Sequence, residues 1–137
     1  MDKPLQGIRV LDLGHVLAMP TCTMQLADLG AEVIKIEIPG KGDDTREFGP
    51  FINGESTYFM SINRNKKSLT LNLKKEEGKN IFKELVKLSD IVTENNRPDT
   101  MQKLGLDYEV LKKINPSIIY ASICGFGHKS IYQERPG

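Results

Sequence analysis

Histidine, cysteine and a few well-placed cations are the residues of this chain whose types could do chemistry. His15 sits in a short loop, and an unperturbed imidazole titrates near neutrality, so it could act as a general base. No serine or cysteine partner stands close by in sequence, which favours a binding or structural histidine. Cys22 falls in a helical pattern and could be a thiolate activated by a helix N-terminus. The expectation is instead a small packed thiol, and the same holds for Cys124, so neither is expected to be catalytic. Lys74, Arg97 and Arg135 each follow an apolar run of strand type. Glu37 ends another such run, the place of a ribose-binding acid in a dinucleotide site, although a charged strand end is commonly just solvated.

These groups share a location only if the runs between them are parallel strands. Residues 7–37 read as one strand–helix–strand unit. Ile8, Val10, Leu11 and Leu13 form a buried strand, Pro20 suits the first turn of a helix, and Gly30 suits its C-cap. Val33, Ile34 and Ile36 make the second strand. A right-handed crossover would put the loop at 14–19 on the carboxyl edge, where open α/β sheets bind ligands. Residues 38–56 hold glycines and prolines and read as a long loop. A short helix is expected at 55–63 with Tyr58, Phe59 and Ile62 inward, then a basic turn at 64–67 and a strand at 68–73. The clearest helix covers 75–88, with Ile81, Phe82, Leu85, Val86 and Leu88 on one side. A strand at 90–93, short helices at 100–104 and 108–114, and a strand at 118–123 complete the pattern.

Strands near 8–13, 33–37, 68–73, 90–93 and 118–123, alternating with helices, predict an α/β, Rossmann-like, doubly wound sheet. It is mainly parallel and five-stranded, with helices on both faces. The last strand has no helix after it, so the fold is expected to be incomplete. On such a sheet the loops bearing Lys74, Arg97 and Arg135 share the edge that carries His15, and convergent cations there would suit a phosphorylated ligand. Spacing alone does not separate that reading from solvated charges on a chain that is 27% charged.

Composition narrows the classes. At 137 residues there is chain enough for one domain. Lys and Arg number 19 against 18 Asp and Glu, so no bulk field points to nucleic acid or membrane. Apolar runs are too short for a span, and no signal peptide opens the chain, so a cytoplasmic setting is expected. Two histidines and two well-separated cysteines argue against a metal site. A Rossmann fingerprint needs three glycines in its first turn; LGHVLAMP has Gly14 alone, which weakens a nicotinamide-dependent oxidoreductase.

Five ordered segments carry a resemblance over essentially the whole chain: PLQGIRVLDLGHVLAMP, LGAEVIKIE, GKGDDTR, NRNKKSLTLNLK and ENNRPDTMQKLGLDYEVLKKINPSIIYASICGFG. The chain resembles the class III CoA-transferases, the CaiB/BaiF family. The resemblance implies transfer of CoA from an acyl-CoA to a free carboxylic acid, with residues 1–137 as the N-terminal, CoA-binding, Rossmann-like domain. No permanently bound cofactor is implied; CoA or acyl-CoA is the substrate. Carried over by motif, His15 and Val16 would line the thioester end. Leu71, Lys74, Asn95, Asn96 and Arg97 would meet the nucleotide, with Lys103 and Arg135 as phosphate contacts.

Departures from the family pattern are informative. An aromatic residue usually stands where Asn96 is, stacking on adenine, and glycine stands where Met19 and Asp99 are. Ile38 takes a place sometimes basic, and Leu17 one sometimes polar. The family's nucleophile is an aspartate that forms a mixed anhydride and then an aspartyl-CoA thioester. Its motif lies beyond the equivalent of Gly137, while Asp12, Asp28, Asp43 and Asp44 fall in other motifs, so no catalytic residue is expected within this chain. Family members carry a second domain and form interlocked homodimers. The alternative reading is a catalytically inert module that holds CoA or another nucleotide.

Overall fold

The structure is a computed structural model that describes residues 3–132 and 135. Strand β1 (Arg9–Leu13) leads into helix α1 (Ala18–Asp28) and strand β2 (Glu32–Glu37). A 3-10 turn at Asp44–Glu47 precedes two short strands, β3 (Phe51–Ile52) and β4 (Glu55–Ser56), then helix α2 (Thr57–Asn63) and strand β5 (Lys66–Thr70). Helix α3 (Glu76–Lys87), strand β6 (Ile91–Glu94), helices α4 (Thr100–Leu104) and α5 (Tyr108–Ile114), and strand β7 (Ile119–Ser122) follow.

Five strands pair in parallel in the order β5-β2-β1-β6-β7, with Val10 opposite Val33 and Leu11 opposite Val92. This is the expected Rossmann-like α/β sheet. Alternation along the central strands sends side chains to two different cores. Val10 and Val33 pack with Ala27 and Ala31 beneath α1. Leu11, Leu13, Ile36 and Val92 pack against Phe82, Val86, Met101 and Leu111 of α3, α4 and α5. Burying a side chain of that size is worth about 1.5–3 kcal/mol, so the second, larger cluster anchors the sheet. Gly78 lets α3 start against the chain leaving β5: a Cβ there would collide with the Asn72 carbonyl.

Four local expectations are corrected. The third sheet strand begins at Lys66, inside the segment read as a turn, and ends at Thr70. Its first lysine buries its ammonium in the sheet instead of solvating it, so the charge pattern misled. The loop at 38–56 contains a hairpin, β3–β4, turned by Asn53 and Gly54 at φ +52° and +82°. Asn-Gly is the pair that a tight turn with two left-handed residues selects. Ile81 and Leu88 do not join the buried side of α3; they are 49% and 65% exposed, because Phe82 and Val86 already fill the sheet-facing stripe. Cys22 is exposed on α1 and Cys124 is half-buried, so neither is the packed thiol expected. The α2 expectation holds for Ile62, which is buried, while Tyr58 and Phe59 are half-buried.

Candidate functional site

The chain leaves β1 toward β2 on one side and reaches β6 on the other, so the loops after β1 and β6 diverge at the carboxyl edge. That divergence is the switch point at which open α/β sheets hold ligands. His15 and Asn95 occupy it. The Asn95 amide clasps the His15 backbone, Oδ1 accepting from the His15 N–H at 2.7 Å and Nδ2 donating to the His15 carbonyl at 2.9 Å. Behind them stands the N-terminus of α1, with no side-chain cap at Leu17 and no acidic residue in its first turn. Its first turn thus carries no carboxylate of its own, an arrangement that suits an anion.

Beside this edge lies a cavity of about 470 Å³. It brings together His15, Leu71, Lys74, Asn96 and Lys103. Leu13, Ile36, Leu73, Met101 and Leu104 make its floor apolar, and Ile38 closes one wall. A second hollow of about 370 Å³ gathers Asn95, Asn96, Arg97 and Arg135, and Asn96 joins the two. Arg135 lies 4.4 Å over the Tyr132 ring. Val16 lines neither cavity; it is 36% exposed at the loop tip, at φ +60°. A larger groove of about 710 Å³ runs along β7, where Glu94, Asp99, Asp107 and Glu109 outnumber Arg97 and His128, a balance that disfavours a polyanion.

Two buried ion pairs and one half-buried pair lie under the edge on the α1 face, and the sequence reading assigned none of them. Lys66 Nζ meets Asp12 Oδ2 at 3.0 Å, with side-chain exposures of 2% and 0%. Lys35 Nζ approaches Asp43 Oδ2 at 2.8 Å, with 2% and 1%. That contact is an ion pair off hydrogen-bond alignment, leaving Asp43 Oδ2 with no directed partner among the described residues. Arg46 grips Glu37 bidentately at 2.7 Å through Nε and Nη2, and its guanidinium stacks 3.8 Å over Phe59. Glu37 is therefore paired within the protein instead of solvated, and it also lines the apolar cavity. Burial pushes its carboxyl upward, but Arg46, Ser68 and the Asp43 amide outweigh this and hold it below the ordinary value. Asp43 behaves alike, burial being overcome by Lys35 and Thr45. For Lys66 burial wins over Asp12 and lowers the ammonium pKa. The overlooked signal was alternation: Asp12 follows Val10, and Lys35 follows Val33, on the same inward face.

Comparison with known proteins decides the family. The model for CoA-transferase family III matches residues 5–137. The chain belongs to CoA-transferase family III. It is 54% identical over 136 residues to succinyl-CoA:glutarate CoA-transferase of Mus musculus, covering 98% of this chain and 31% of that protein. It is 53% identical over 124 residues to acetyl-CoA:oxalate CoA-transferase of Acetobacter aceti, covering 90% of this chain and 32% of that one. A CaiB/BaiF family crystal structure from Brucella suis superposes with TM-score 0.94 at 46% identity, over all of this chain and 37% of that one. The family III chain thus spans about a third of the length of the curated relatives it matches.

Membership gives physical meaning to one departure. Asp99 of this family III chain sits at φ +70°, a left-handed conformation that glycine adopts freely. Its carboxylate makes no cap to α4, and its 3.8 Å approach to Lys103 is an exposed pair of little worth. Asp99→Gly is expected to stabilise the chain by about 0.5–1 kcal/mol. A urea midpoint lower than that of the wild type would show that the carboxylate contributes more than its backbone costs. The Asn96 side chain reaches back to Glu94, Nδ2 donating to Oε2 at 3.3 Å beside its backbone N–H at 2.7 Å. No described helix is long and apolar enough to cross a membrane, and the described residues contain no cluster suited to a metal ion.

Proposed function

We propose that this chain supplies the CoA-binding part of a transferase that moves CoA from an acyl-CoA to a free carboxylic acid. The observation that carries this reading is the cavity where His15, Lys74 and Lys103 rim an apolar floor at the sheet's carboxyl edge. An apolar slot suits adenine and the pantetheine arm, and the cations suit phosphates. In this reading Leu71 and Asn96 meet the nucleotide, Arg97 and Arg135 serve phosphates from the adjoining hollow, and His15 with Val16 faces the thioester. Asn95 acts through the His15 backbone it clasps. The free acids in the names of the similar proteins, glutarate and oxalate, are short dicarboxylates, which favours an acceptor of that class.

In the proposed chemistry an aspartate carboxylate attacks the thioester carbonyl, expelling CoA thiolate and forming a mixed anhydride. The thiolate then attacks the aspartyl carbonyl, releasing the donor acid and leaving aspartyl-CoA. The acceptor carboxylate repeats the exchange and restores the aspartate. The aspartates near the edge are poor candidates for that role. Asp12 already accepts from Gly14 N–H, Thr23 Oγ1 and Lys66 Nζ, and Asp43 is buried against Lys35. In this reading, which follows the family resemblance, the nucleophilic aspartate lies outside these 137 residues. The test is to titrate the purified chain with CoA, then incubate it with an acyl-CoA and short dicarboxylic acids and examine it by mass spectrometry. CoA binding without turnover or adduct is expected. A covalent adduct on any residue of the chain would relocate the nucleophile, and absence of CoA binding would remove the site.

A further inference from the structure

Gly14 and His15 form the exit from β1, and each polar backbone group of this dipeptide is held by a side chain. The Gly14 N–H donates to Asp12 Oδ1 at 2.8 Å, and the Gly14 carbonyl accepts from Lys35 Nζ at 2.7 Å. His15 is held on both sides by Asn95, as described above. The three side chains come from β1, its neighbour β2 and the residue after β6, with the switch point between β1 and β6. Asp12 and Lys35 are 0% and 2% exposed. Both are ionic, and each is secured by a second partner: Lys66 for Asp12, Asp43 for Lys35.

An ordinary loop satisfies such groups with water or its own turns. A dipeptide pinned by buried charges cannot relax that way, since moving it would strand an ammonium or a carboxylate out of water. The next residue records the constraint. Val16 is β-branched yet sits at φ +60°, a conformation that persists only where its surroundings over-determine it.

We propose that Lys35, with Asp12 and Asn95, is a positioning device that fixes the Gly14–His15 backbone and so aims His15 and Val16 at the acyl end of the bound thioester. The inference rests on the CoA reading above for what the loop is aimed at, but not for the clamp itself. Lys35 touches no ligand; it acts through the Gly14 carbonyl, and its salt bridge to Asp43 links that loop to the one after β2.

The test compares the whole chain with two variants. Lys35→Met combined with Asp43→Asn removes the donor without leaving a lone buried charge, and Asn95→Ala removes the other clasp. By amide hydrogen exchange, Gly14 and His15 are expected to exchange at least about tenfold faster in the double variant, with the β1–β2 ladder unchanged. In Asn95→Ala the His15 amide alone is expected to accelerate. Calorimetry with CoA and with acetyl-CoA is expected to show CoA affinity held within about twofold in the double variant, while the acetyl-CoA to CoA affinity ratio changes by about threefold or more. Unchanged exchange at Gly14 and His15 in both variants, or acceleration spread evenly over the ladder, would overturn the clamp. Local acceleration with an unchanged affinity ratio would overturn its aim at the acyl group. A wild-type chain that binds neither ligand would sink the CoA reading, while the exchange rates would still judge the clamp.

Discussion

Asp12→Ala is expected to destabilise the chain by about 3–5 kcal/mol, a large part of the roughly 5–15 kcal/mol that holds a typical domain together. Its carboxylate is fully buried and takes donors from Lys66, Thr23 and Gly14. Truncation leaves the Lys66 ammonium, itself 2% exposed, without its counter-ion. The loss comes from that uncompensated charge more than from the pair's own net worth, because burying both ions was costly at the outset. A double variant, Asp12→Leu with Lys66→Met, should therefore recover much of the lost stability. Urea unfolding of Asp12→Ala and of the double variant measures both effects, and adding the single variants Asp12→Leu and Lys66→Met isolates the coupling by its non-additivity. A single-variant loss under about 1 kcal/mol would mean that water reaches Lys66 in solution.

The second large effect concerns ligand binding. Lys74→Ala and Arg97→Ala are each expected to weaken CoA binding by roughly fivefold to a hundredfold, the range of one charge-assisted phosphate contact. Lys74 borders the apolar cavity and Arg97 the adjoining hollow. Both side chains are exposed, so the attraction should fall steeply as salt shortens the screening length to a few ångströms. Ile38, at the cavity wall with 55% of its surface exposed, contributes no charge, which leaves Lys74 and Lys103 as the ammonium groups at that cavity's rim. Calorimetry at low and high salt checks this. Equal CoA affinity for wild type and both variants at low salt would remove the phosphates from this edge.

The elements of the sheet were legible because their signal is local. Residues such as Val10, Leu11, Ile34 and Val92 are apolar whichever neighbours they meet, and a buried parallel strand needs little else. Lys74, Arg97, Arg135 and His15 could be assigned to one edge because parallel pairing puts successive strand-to-helix loops on the same side. Asp99 was marked by the glycine that usually takes its place, and its φ of +70° supplies the reason.

What the amino-acid order determined alone was the alternation of strands and helices, and the family that its motifs resemble. The tertiary structure decided which polar residues are spent and which are free. Lys66 and Lys67 are adjacent lysines, yet the first is buried against Asp12 and the second reaches Glu32 at the surface. Glu37 looks like any solvated strand end until Arg46, nine residues on, folds back to grip it. Asn95 and Asn96 are identical neighbours, but one clasps the His15 backbone and the other turns back on Glu94. The cost of burying a charge depends on where its partner stands in space. Residues as far apart as Asp12 and Lys66 become partners only when β1, β2 and β5 lie side by side.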